Sequence, residues 1–248
     1  MSDLINKVHL VDCMEFMKSI PDKYYELAIP DPEYGLGEDG GKCRSKYVVQ
    51  KNGKKLYVRG DYKRKEWDKK PAPPEYFEEL FRISQHQIIW GCNNYHANFG
   101  AGRIIWDKVN EGSDQSDCEI AYNSNGKRVD LFRYMWRGML QGKSITEGHI
   151  MQGNKRKNER RIHPTQKPVL LYKWILQKYA KPGDKIFDSH VGSGSLRIAC
   201  YDLGFYFEGC EVDEDYWNDQ EIRFCEYKQQ SELFGKEEIQ NLIYEVNS

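Results

Sequence analysis

Residues 183–213 read GDKIFDSHVGSGSLRIACYDLGFYFEGCEVD, and their order of strand, glycine turn, helix and strand decides the fold. Lys185 to Asp188 is a short apolar run closed by an acid, and Gly192 and Gly194 let the backbone turn tightly and approach a ligand closely. Leu196 to Leu203 carries apolar residues at helical spacing, and Phe205 to Val212 is a second strand that delivers Glu211 near its end. In a doubly wound α/β sheet this places a bare turn and a carboxylate at the carboxyl ends of neighbouring strands, where a nucleoside can be held by its ribose hydroxyls. Ser193-Gly194-Ser195 lacks the third glycine of a dinucleotide fingerprint, so a plain structural turn is the alternative. The acid 17 positions beyond Gly194 favours the nucleoside.

Outward from this stretch, the bulk properties bound the class. A chain of 248 residues with this alternation reads as one α/β domain. No run of 18 apolar residues exists and the first residues, MSDLINKVHLVD, carry no apolar leader pattern, so a cytoplasmic chain without a membrane span is expected. Seven cysteines without CxxC spacing fit buried thiols in a reducing compartment better than a disulfide framework, and no metal is expected. The net charge of -1 conceals an asymmetry. Residues 42–70 hold twelve Lys and Arg against three Asp and Glu, whereas residues 208–248 hold three against twelve. The basic block is the informative one, because a long insertion of one sign interleaved with aromatics suits phosphate contacts.

Upstream, Lys7 to Val11 reads as a strand, and Asp12 is placed to cap a helix from Cys13 to Ser19. A second strand, Tyr25 to Pro30, delivers Asp31-Pro32-Glu33-Tyr34-Gly35 at its carboxyl end. The basic block follows, with a mobile loop expected over 36–70. Glu75 to Ser84 is an amphipathic helix, and Gln87 to Gly91 and Arg103 to Asp107 are strands. Glu119 to Asn123 and Leu131 to Trp136 are expected to pair as a hairpin about SNGKR. Regular structure fades over 137–162, which includes the basic run NKRKNERR, and a small recognition insertion is expected over about 124–162. HPTQKP, residues 163–168, introduces a helix from Val169 to Ala180, and two acidic helices, Glu214 to Glu232 and Lys236 to Val246, close the chain.

Three motifs in this order resemble those of the amino-group DNA methyltransferases, S-adenosylmethionine-dependent enzymes, in the class whose catalytic motif precedes the cofactor motifs. Asp31-Pro32-Glu33-Tyr34 resembles the family's Asp-Pro-Pro-Tyr, HPTQKP its His-Pro-x-x-Lys-Pro, and DSHVGSGS its glycine loop. The resemblance covers nearly the whole chain. It implies a Rossmann-like, mostly parallel sheet with an antiparallel edge hairpin, S-adenosylmethionine as cofactor, and double-stranded DNA as partner.

The resemblance also assigns roles. The Asp31 carboxylate and the Pro32 carbonyl would accept the N–H bonds of an exocyclic amino group, drawing its nitrogen toward tetrahedral geometry so that the lone pair can attack the sulfonium methyl. Tyr34 offers a face to the extruded base. Glu211 is implied on the ribose, backbone groups from His190, Gly192, Ser193, Gly194 and Ser195 beside the methionine, and Asp188 at the close of that strand. Thr165, Gln166, Lys167 and Pro168 match the segment lining the methionine end, with Lys167 a partner for its carboxylate. Asp12 and Cys13 match a segment contacting the adenine, although a helix cap alone also explains Asp12.

Glu33 departs from the family pattern, which has a second proline there. The departure frees φ and brings a carboxylate near the flipped base, so slower transfer, or a silent cofactor- and DNA-binding relative, is the alternative. Asp rather than Ser at position 31 leans toward adenine N6 over cytosine N4. RNA and protein glutamine are the other substrates weighed; the two basic segments favour a polyanion. A nicotinamide oxidoreductase would leave HPTQKP and DPEYG without a role. The resemblance also suggests a homodimer and a bacterial or phage setting such as restriction-modification. Gln230-Ser-Glu-Leu-Phe234 resembles the peptide by which bacterial DNA enzymes dock on the sliding clamp.

Overall fold

Period-two alternation in the strands sorts apolar side chains to two faces of one sheet, and each face acquires its own core. In the computed structural model, which describes residues 5–37, 47–49, 55–57, 67–111, 116–137 and 140–234, Leu27, Ile88, Trp90, Ile186 and Phe207 face one way. Their neighbours Ala28, Ile89, Phe187 and Cys210 face the other. Parallel strands covered on both faces need such near-continuous apolar runs.

The elements follow in chain order. β1 (Asn6–Leu10) leads to α1 (Cys13–Lys18), β2 (Tyr25–Ala28), β3 (Tyr47–Val49) and β4 (Lys55–Tyr57). Next are α2 (Pro74–Ile83), β5 (Ser84–Trp90), β6 (Arg103–Asp107), β7 (Cys118–Asn123), β8 (Val129–Arg133), β9 (Trp136–Arg137) and β10 (Leu140–Gln141). The chain continues through α3 (Val169–Tyr179), β11 (Lys185–Asp188), α4 (Ser195–Leu203), β12 (Tyr206–Glu211) and α5 (Glu214–Phe234). Eight strands form one sheet in the order β1-β12-β11-β2-β5-β7-β6-β8. From β1 to β5 every pairing is parallel, so the carboxyl ends of β1, β12, β11 and β2 share one edge.

Helices α1 and α2 cover one face, and α3, α4 and α5 the other. α2 starts on Pro74, which lacks the N–H a first helical turn leaves unused, and buries Tyr76, Phe77, Leu80 and Ile83. In α1, Asp12 accepts N–H bonds from Met14 at 2.9 Å and Glu15 at 3.1 Å, confirming it as the cap.

The antiparallel pair near the sheet edge is made by β6 and β7, not by β7 and β8. Both edges of β7 are occupied, by β5 on one side and β6 on the other. β8 therefore crosses to the outer edge of β6, where it runs parallel. Gly102 permits the crossing: a Cβ there would lie 2.2 Å from the Asn123 carbonyl oxygen and 2.3 Å from that of Gly126. β8 thus belongs to the main sheet.

Expected mobility over 36–70 falls mostly outside the described residues, but β3 and β4 within that span pair antiparallel. The helix expected from Lys236 to Val246 lies outside them. Gln230–Phe234 is the last turn of α5, whose side chains from residue 232 onward are likewise outside. No helix among the described residues is long and apolar enough to cross a membrane.

Candidate active site

The shared edge of β1, β12, β11 and β2 opens onto a cavity of about 270 Å³. Asp12, Cys13, Asp31, Thr165, Gln166, Lys167, His190, Gly192, Ser193 and Glu211 all line it, although they come from five separate stretches of sequence. Of the remaining residues the sequence singled out, Pro32 and Tyr34 flank the Asp31 corner. Pro168 caps α3, and Gly194, at φ +73°, precedes α4, which Ser195 opens. Asp188 is buried behind the turn and accepts the His190 N–H at 3.0 Å. Burial pushes its carboxyl up to about 7, against that hydrogen bond.

Glu211 accepts N–H bonds from Gly192 at 2.8 Å and Asp213 at 2.9 Å, which ties the end of β12 to the glycine turn. Burial raises its pKa, and these backbone bonds oppose the rise. A carboxylate held this way keeps lone pairs for a diol. Gly192 at φ +51° lies against the His163 ring, whose position on Tyr216 closes the wall. Burial, followed by the Lys167 cation, brings the His163 pKa down to about 3, so this imidazole is neutral.

At the end of β2, Asp31 holds two donors. Tyr34 Oη donates to Oδ1 at 2.5 Å, and Lys167 Nζ donates to Oδ2. The Lys167 ammonium is buried; it lies 3.0 Å from Glu119 Oε2, 3.2 Å from Tyr34 Oη, and over the Trp90 and Tyr34 rings. Lys108 completes the row on the other oxygen of Glu119. Burial alone would raise the Glu119 pKa, but Lys167 and Lys108 outweigh it and hold it at about 2. Burial would lower that of Lys167; Asp31 and Glu119 outweigh it and keep the ammonium charged. Lys167 thus joins HPTQKP to the end of β2, a contact beyond the expected partnership with a cofactor carboxylate.

The Pro32 carbonyl accepts Tyr95 Oη at 2.8 Å and retains a second lone pair. Tyr34 packs its ring directly on Gly91, where a Cβ would stand 2.1 Å away. Glu33 reaches His190 on the glycine turn, Oε2 to Nε2 3.3 Å. Burial would raise its pKa, yet the imidazole outweighs burial and takes it to about 2.

Sequence reasoning missed Glu119, Tyr95 and one further hub. Glu159, in the basic run, accepts from Gln166 at 2.9 Å, from Arg223 at 2.5 Å and from the Val169 N–H at 3.0 Å. Arg223 in turn donates to the Ser193 carbonyl at 2.6 Å. The lone acid within NKRKNERR was the available clue.

The geometry is a cavity lined by carboxylates, beside which the Asp31 carboxylate and the Pro32 carbonyl can each accept a further N–H bond. A sequence model of the N6/N4 DNA methylase family matches residues 47–221. The chain is 26% identical over 271 residues to the Type II methyltransferase M.HinfI of Haemophilus influenzae, covering 92% of this chain and 70% of that protein. It is 23% identical to the Type II methyltransferase M1.MboII of Moraxella bovis, with 86% and 94% covered. The fold is similar to that of the PvuII DNA methyltransferase, described as cytosine-N4-specific, at a TM-score of 0.52 and 11% identity, covering 88% of this chain and 86% of that one.

Proposed function

The chain belongs to the N6/N4 DNA methylase family, and from that premise we propose that it transfers a methyl group from S-adenosylmethionine to N6 of adenine in double-stranded DNA. The observation that carries the reading is the placement of Asp31 in the wall of a cavity that Glu211 also lines. The residues suit the cofactor. Glu211 would take the ribose hydroxyls, the turn from His190 to Ser195 the methionine, and Asp12, Cys13 and the flank of β12 the adenine. Bound there, the cofactor supplies an electrophilic methyl group.

The protein's own contribution is positioning. Asp31 and Pro32 accept the amino N–H bonds, and the retained lone pairs on both oxygens make room for them. Lys167 and Tyr34 fix the Asp31 carboxylate, limiting its rotation. The base has to leave the duplex to reach this site. Lys155, Arg156, Lys157 and Arg160 are exposed on the segment after β8, which suits contacts to phosphate; that segment is the recognition insertion of this reading. Dimer formation, and clamp docking through Gln230–Phe234, extend the reading to assembly.

The test is methyl transfer from labelled S-adenosylmethionine to unmethylated bacterial genomic DNA, with nucleosides identified after digestion. N6-methyladenine is expected. N4-methylcytosine would replace the base assignment, and absence of both products would overturn the activity.

A further inference from the structure

The geometry points to Asp68 as a positioning residue for methyl transfer: it holds the turn after β2 in the shape that aims the Asp31 carboxylate and the Pro32 carbonyl. The inference rests on the transfer reaction proposed above.

Both acceptors depend on backbone torsions that the sequence leaves soft. The Pro32 ring fixes its own φ, but rotation about ψ of Pro32 and φ of Glu33 swings the peptide that carries the Pro32 carbonyl. A proline at 33 would fix the second of these torsions; Glu33 does not. Gly35, two residues on, sits at φ +74°, a conformation that glycine enters and leaves without steric cost.

Residues 68–72 supply the missing restraint. Asp68, only 2% exposed, accepts the Gly35 N–H on Oδ1 at 2.7 Å and the Gly37 N–H on its carbonyl oxygen at 3.0 Å. The Glu33 carbonyl accepts the Ala72 N–H at 3.2 Å, and Tyr34 bridges Pro71 in antiparallel fashion. Tyr34 therefore lies between two anchored neighbours, and its hydroxyl is one of the two donors on Asp31. Slack at Gly35 reaches the Asp31 carboxylate through that single residue. The Asp68 bond is the strongest of the set, because a carboxylate accepts it. None of residues 68–72 lines the cavity, so the restraint acts on the acceptors and leaves the cofactor walls alone.

Steady-state methyl transfer from labelled S-adenosylmethionine to duplex DNA, with cofactor affinity read by calorimetry, tests the role. Asp68→Ala is expected to lower kcat about tenfold or more, as a displaced acceptor would, and to leave cofactor affinity within about twofold. Asp68→Asn keeps an acceptor for Gly35 and should stay within about threefold of the parent kcat. Amide exchange over residues 33–37, followed by mass spectrometry, should quicken about tenfold in Asp68→Ala. Where Asp68→Ala does not fold, Gly35→Ala presses on Pro71 from the other side of the same contact, a Cβ there lying 2.7 Å from Pro71, and should split kcat from cofactor affinity in the same way. A kcat for Asp68→Ala within about twofold of the parent, a cofactor affinity that falls in step with kcat, or Asp68→Asn as slow as Asp68→Ala would overturn the inference. A parent that transfers no methyl group would instead overturn the activity; unchanged exchange over 33–37 in Asp68→Ala would then overturn the restraint as well, and quickened exchange would uphold it.

Discussion

Asp31 meets a cation and a hydroxyl before any base arrives, and the cation is shared. Lys167 lies between Asp31 and Glu119, its side chain only 3% exposed, so its removal leaves two carboxylates facing each other in a low-dielectric pocket. Breaking a buried pair from one side costs about 3–5 kcal/mol. We predict a loss of that size for Lys167→Met in urea denaturation; a loss below about 1 kcal/mol would show that the row of charges does not hold the site together. Glu119 adds a pH dependence. Its folded pKa of about 2 lies below the ordinary 4.5, so the folded state binds fewer protons than the unfolded chain in that interval. The stabilisation is complete above pH 4.5 and fades as pH falls toward 2. Glu119→Gln should therefore flatten the stability profile over that window, and an unchanged profile would remove Glu119 from the network. HPTQKP and DPEY were legible as motifs, but this row was not. Lys108, Glu119 and Lys167 are brought together only by the antiparallel course of β7, and a long-range charge pair leaves no local pattern in sequence.

Elements were more legible than their connections. Strand and helix periods located β1, β2, β11, β12 and α1 to α5 to within a few residues, because apolar spacing reports directly on the face each element buries. The SNGKR turn misled, since two strands flanking a short polar loop ordinarily pair. What overrides that expectation is the filling of both edges of β7, a property of the assembled sheet. The crossing depends on Gly102, and a methyl group there would press on the carbonyls of Asn123 and Gly126. Gly102→Ala should cost about 2 kcal/mol or more, as overpacking against backbone does. Gly126→Ala, in the SNGKR turn that Gly102 faces, meets nothing within 4 Å and should stay within about 0.5 kcal/mol. Equal effects in equilibrium unfolding would refute this account of the crossover.

At the scale of the molecule, Glu159 joins the site edge of the sheet to an exposed basic run. Glu159 binds Arg223, Gln166 and the first N–H of α3, and Arg223 holds the glycine turn through Ser193. Lys155, Arg156 and Lys157 stand just before that anchor and project into solvent. A run fixed to the glycine turn at one end and exposed along its length can meet phosphate without rebuilding the pocket. The two functions should therefore separate by mutation. Changing Lys155, Arg156 and Lys157 together to Gln removes three cations, each worth about one phosphate contact, and should shrink the slope of log affinity for duplex DNA against log salt by about 2 to 3. Cofactor affinity, read by calorimetry on the same protein, should stay within about twofold, because Glu159 and its partners are untouched. Loss of cofactor binding would mean that the run supports the fold of the pocket, and an unchanged salt slope would place the DNA on another face.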